Sequence, residues 1–101
     1  MSEDYPHLIL PEGFDERGEQ EMQMRGYLSH AMVEVKGGQR YSALFIDPIR
    51  LQQDLDEEVR LGRPCLAEPG LIVLPEITLQ AIKGAVHYLW GIGFFSRLKP
   101  S

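Results

Sequence analysis

Between Asp47-Pro48 and Gly93 the chain carries the punctuation of helix, strand and helix in succession, and this stretch constrains the fold more than any other. Asp47 is placed to accept N–H bonds from a first helical turn. Pro48 suits a first-turn position whose N–H has no partner to lose, and Gly62 with Pro64 closes the helix. Leu51, Leu55 and Val59 recur at i, i+4 and i+8, which predicts a buried stripe. Arg50–Asp54 and Asp56–Arg60 stand four residues apart with opposite charge and predict surface ion pairs. Glu58 falls at the edge of the apolar stripe, where a carboxylate either reaches water or needs a partner.

Beyond this helix, Pro69-Gly70 suits the central positions of a type II turn. Residues 71–74, Leu-Ile-Val-Leu, then form an unbroken apolar run. A run without alternation predicts a strand covered on both faces, hence a central one. Pro75 ends it and Thr78 caps a final helix, with Ile77 and Ile82 spaced as a hydrophobic staple. Leu79, Ile82, Ala85, Val86, Leu89 and Trp90 share one broad face of that helix. Gln80, Lys83, Gly84, His87 and Gly91 share the other. Gly93 is placed to close it in the left-handed region, with Phe94 folding back on the last turn.

The first half reads as strands. Residues 5–10 predict a short edge strand, because Pro6 removes a ladder donor. Residues 11–23 read as a polar loop pinned by Phe14. Residues 24–36 alternate, with Tyr27, Ala31, Val33 and Val35 on one parity and His30, Glu34 and Lys36 on the other. Gly37-Gly38 permits a hairpin turn, and residues 39–46 return as its partner strand. A two-residue turn sets Val33 opposite Ser42. A three-residue loop through Gln39 sets Val33 opposite Ala43 and Ala31 opposite Phe45. The second is preferred, because it gathers Val35, Val33 and Ala31 with Tyr41, Ala43 and Phe45 on one apolar face. The element order β-β-β-α-β-α predicts an α+β fold: a small mixed, mostly antiparallel sheet with two helices packed on one face.

A chain of 101 residues fits a single domain, residues 1–101, with residues 1–23 expected as a partly mobile acidic N-terminal arm and loop. The formal charge of −5 belongs to that arm. Residues 1–21 hold seven carboxylates against Arg17 alone, and the remaining residues are close to neutral. No basic cluster marks a nucleic-acid footprint, and no apolar run approaches the roughly 20 residues of a membrane span, so neither nucleic acid nor membrane is expected as a partner. The N-terminal residues show neither the basic nor the apolar segment of a secretory leader, and Cys65 is the sole cysteine. A cytoplasmic location is the expectation.

Chemical motifs are missing. His7, His30 and His87 stand far apart without metal-ligand spacing, and the carboxylates Asp54, Asp56, Glu57 and Glu58 spread around a helix instead of meeting at a point. Cys65 has Arg63 nearby but no base in view, and reads as a small structural cysteine at a strand start. Gly91-Ile92-Gly93 lacks the context of a dinucleotide loop, and no serine sits in a nucleophile elbow. No catalytic residue, metal or cofactor is therefore assigned. The polar groups that remain as a candidate cleft are His30, Tyr41 and Glu58.

Aromatic residues give a different lead. Trp90, Phe94 and Phe95 crowd the C-terminus, and adjacent Phe94 and Phe95 do not easily both point inward, so this trio is the candidate interface. The leading expectation is a non-catalytic protein-interaction module, as a homodimer or with a protein partner. The alternative is a small enzyme or ligand-binding protein with a site near His30, Tyr41 and Glu58. In element order and acidity the chain resembles uncharacterised bacterial proteins, and is similar in outline to small α+β immunity proteins, which neutralise toxin enzymes through acidic surfaces. That resemblance implies an inhibitor of a toxin as a third function and assigns no residue a role.

Overall fold

The computed structural model describes residues 5–98. Its elements are β1 (His7–Ile9), α1 (Glu16–Arg25), β2 (Tyr27–Glu34), β3 (Arg40–Ile46), α2 (Pro48–Arg60), β4 (Leu71–Val73) and α3 (Leu79–Gly91), then a 3₁₀ turn at Phe95–Arg97. The strands form one sheet in the order β1-β2-β3-β4, antiparallel at the first two junctions and parallel between β3 and β4. This is the expected mixed α+β sheet with the expected order of strands and helices along the chain, plus one helix, α1, where the sequence predicts a loop. Residues 1–4 of the acidic arm and residues 99–101 lie outside the described residues.

The polar helix α1 escaped the sequence reading because Met22 is its one buried residue, so it has almost no apolar period. Its caps carry the signal instead. The Asp15 side chain accepts from the Gly18 N–H at 2.8 Å, Glu16 and Glu19 lie in the first turn, and Arg25 lies in the last. Gly26 ends it at φ 76° with its N–H bonded to the Met22 carbonyl. A Cβ on Gly26 would collide with the Asp47 carboxylate, so the α1–β2 corner and the start of α2 are packed together through this glycine.

One face of the sheet carries the core. Val33, Val35, Ala31, Tyr41, Ala43 and Phe45 lie buried there with Met22 of α1, Ile82 and Val86 of α3, and Phe95. The apolar grouping expected for the hairpin is therefore present, but its register is offset. Val33 faces Tyr41 and Ala31 faces Ala43, because the loop consists of Lys36, Gly37 and Gly38, with the Val35 N–H bonded to the Gln39 carbonyl. Gly37 and Gly38 both have positive φ, so the chain turns one residue earlier than a loop through Gln39 requires.

Two further expectations are corrected. β4 is an edge strand rather than a central one, and Val73 is 49% exposed. An apolar run of four was read as covered on both faces, although β4 proper is three residues long and Leu74 is the residue buried in the core. The Leu51–Leu55–Val59 stripe is not buried either. α2 contributes no buried residue, Leu51 and Leu55 are half-buried, and Val59 is 58% exposed. Its N-terminus forms as the sequence dictates, with Asp47 accepting from the Arg50 N–H at 2.7 Å and Pro48 in the first turn.

Candidate functional site

The sheet departs from regularity at His30. Leu28 pairs with Phe45 and Ala31 pairs with Ala43, so Ser29 and His30 together stand opposite Leu44 in a β-bulge. His30 adopts φ 62°, the only non-glycine residue with positive φ among those described. Held there, a non-glycine residue costs on the order of 1–3 kcal/mol, a strain that is concentrated in proteins at ligand sites and switches. The Ser29 hydroxyl lies 3.0 Å from His30 Nδ1 and fixes the ring against its neighbour.

The bulge forms one end of an open groove of about 640 Å³, lined by Ser29, His30, Met32, Leu44, Glu68 and Pro69 among others. Its far wall is the Pro69-Gly70 turn. The Leu44 N–H donates to the Gly70 carbonyl at 3.0 Å, and Gly70 has φ 78°. A Cβ on Gly70 would strike the Ser42 carbonyl oxygen, so glycine lets the turn lie directly on β3 and holds the wall in place.

The expected cleft of His30, Tyr41 and Glu58 does not assemble. Tyr41 is in the core, its ring centroid 5.7 Å from that of Phe95 and its hydroxyl donating to Gln39 Oε1 at 3.2 Å. Glu58 is on α2, where the Arg63 guanidinium donates to its carboxylate at 2.8 Å. That hydrogen bond lowers the Glu58 pKa and raises that of Arg63. Glu57 and Arg60 form a second such pair, with the same directions of shift. Arg60 therefore pairs with Glu57 rather than with Asp56, whose carboxylate accepts from Gln52. Arg50 makes the expected pair with Asp54 at 2.9 Å and also lies 4.5 Å above the Tyr27 ring.

The candidate interface also divides. Phe95 is 1% exposed and packs edge-on against half-buried Phe94, so both turn inward through the 3₁₀ turn. Trp90, at 36%, is the exposed member of the trio. The other exposed large apolar residues are Met24 on α1, Ile49, Val59 and Leu61 along and just after α2, Val73 on β4, and Tyr88 and Ile92 on and after α3. Cys65 is exposed in the irregular stretch before β4 instead of structural at a strand start.

Chemically the groove offers an imidazole, a serine hydroxyl beside it, and one carboxylate on the opposite wall. The Ser29–His30 contact has the two atoms of a nucleophile and base, but no described carboxylate orients the imidazole, as an activated serine requires. Among the described residues no group of three or more His, Cys, Asp or Glu side chains is placed to hold a metal ion, and no helix is long and apolar enough to cross a membrane. Sequence reasoning singled out His30 but missed Ser29 and Glu68, since the phase shift from Leu28 to Ala31 is a single short step and Glu68 meets the other polar groups of the groove only through the fold.

Comparison with known proteins gives no match: no family model, curated protein or solved structure is similar to this chain.

Proposed function

We propose that this chain is a non-catalytic interaction module that associates with a second copy of itself. The observation that carries the reading is a set of large apolar side chains left in water at the ends of α2 and α3 and on β4.

Val59 and Leu61 at the end of α2, Val73 on β4, and Tyr88 and Ile92 at the end of α3 are large apolar groups left in water. The strong acidity resides in residues 1–21, whereas these elements belong to the near-neutral remainder. Two copies meeting through them avoid the repulsion that two acidic arms would generate.

Light scattering over a dilution series tests this. The expected result is a mass near twice 11.5 kDa at high concentration, falling toward the monomer on dilution. Val59→Glu with Ile92→Glu should give a folded monomer throughout, because both positions are exposed and neither supports the core. A wild-type chain that stays monomeric at every concentration overturns the proposal.

A further inference from the structure

We infer that the groove between the β2 bulge and the Pro69-Gly70 turn is a binding site for a small amine with an apolar body. Three independent features lead there. The bulge that carries the buried side of β2 from Leu28 to Ala31 holds His30 in the left-handed region and leaves its imidazole exposed on the groove. The opposite wall is fixed to β3 by a glycine that no other residue can replace without collision. The open groove between them, about 640 Å³, lies within the roughly 300–1,000 Å³ typical of small-molecule sites.

Its chemistry selects the ligand. Met32, Leu44 and Pro69 supply an apolar floor and wall, while Glu68 supplies a carboxylate. No described lysine, arginine or histidine pairs with Glu68, and no lysine or arginine lines the groove. An ammonium group fills that position with a charge-assisted hydrogen bond. An anion would meet Glu68 with repulsion. A metal ion would find one carboxylate and one imidazole, short of the four or more donors that zinc or calcium takes. His30 closes the other end of the groove, its ring oriented by Ser29.

The test is an amide NMR titration of the full chain with three probes of one shape: phenethylamine, phenethyl alcohol and 3-phenylpropionate, at constant ionic strength. The expected result is saturable shifts at residues 29–32, 42–44 and 68–70 with the amine, at a Kd of about 1 mM. The alcohol should bind roughly five- to tenfold more weakly and the carboxylate should not saturate. Glu68→Gln should abolish the preference for amine over alcohol, leaving the alcohol unchanged. His30→Gly, which keeps the backbone conformation while removing the imidazole, should weaken both. Shifts that are absent or linear for the amine, equal affinity for all three probes, or an amine preference that survives Glu68→Gln overturns the inference. None of these outcomes depends on the oligomeric state, so this site and the self-association proposal fail separately.

Discussion

At the scale of single residues, two positions with positive φ behave in opposite ways. His30 bears a side chain where glycine would be unstrained. His30→Gly is therefore expected to stabilise the fold by about 1 kcal/mol, the relief of strain exceeding the entropy that glycine adds to the unfolded chain. An increase in the urea midpoint with unchanged slope is the measurement, and a decrease would show that the imidazole makes a contact worth more than the strain. Gly70 is the converse. At φ 78° and pressed on the Ser42 carbonyl, it leaves no room for a methyl group. Gly70→Ala should cost about 2 kcal/mol or more and loosen β4 first, seen as accelerated amide exchange at Leu44, whose N–H donates to Gly70. His30 stood out in the sequence only as a polar residue in an alternating strand. Its bulge did not, because one parity was carried from Tyr27 through Val35, whereas the buried side passes from Leu28 to Ala31 across the extra residue.

At the scale of elements, the helix caps and the apolar face of the hairpin were legible, while the hairpin register and the burial of α2 and β4 were not. Asp47, Pro48, Thr78 and Gly93 all act as their residue types require, since each effect is local and depends on a few neighbouring backbone groups. The α2 stripe and the position of β4 depend on what the rest of the chain brings against them, and apolar spacing cannot tell a face covered by its own core from one left open. The helix α1 was missed for the complementary reason: it is secured by Asp15 and Gly26 with little apolar period to show. The last turn of α2 also has a pH dependence. Arg60 and Arg63 hold the Glu57 and Glu58 carboxyls below the usual value of 4.5. A carboxyl depressed in the folded state stabilises it above the unfolded pKa, and this contribution is lost as pH falls through the folded value. The end of α2 should therefore fray on acidification below about pH 4.5, and Glu57→Gln with Glu58→Gln should flatten that acid limb in helical circular dichroism. An acid limb identical in wild type and double variant would show that these exposed pairs add nothing to helix stability.

At the scale of the whole molecule, the chain is extended for its length. Its radius of gyration is 14.3 Å and its extents are 50 × 32 × 23 Å. A compact domain of this length has a radius near 13 Å. The main core cluster lies on one face of a four-stranded sheet, with Ile46 buried outside it, and leans on a few large groups, Phe45 and Phe95 foremost. Phe95→Ala should cost about 3–5 kcal/mol, a large share of the stability of any chain this size. Substitution there consequently reports on folding rather than on an interface. The property that does report on the interface is the dependence of melting temperature on concentration. If the exposed apolar groups are buried against a second copy, folding is linked to association, and each tenfold rise in concentration adds about 1.4 kcal/mol shared between two chains. For a domain near 100 residues, where 1 kcal/mol moves the midpoint by about 4–8 °C, the melting temperature should climb roughly 3–5 °C per decade of concentration. Val59→Glu with Ile92→Glu should remove that slope while leaving the low-concentration midpoint in place, since both residues are in water in the single chain. A slope that persists in the double variant would move the contact away from the ends of α2 and α3, and a flat wild-type response would mean that the exposed apolar groups stay in water.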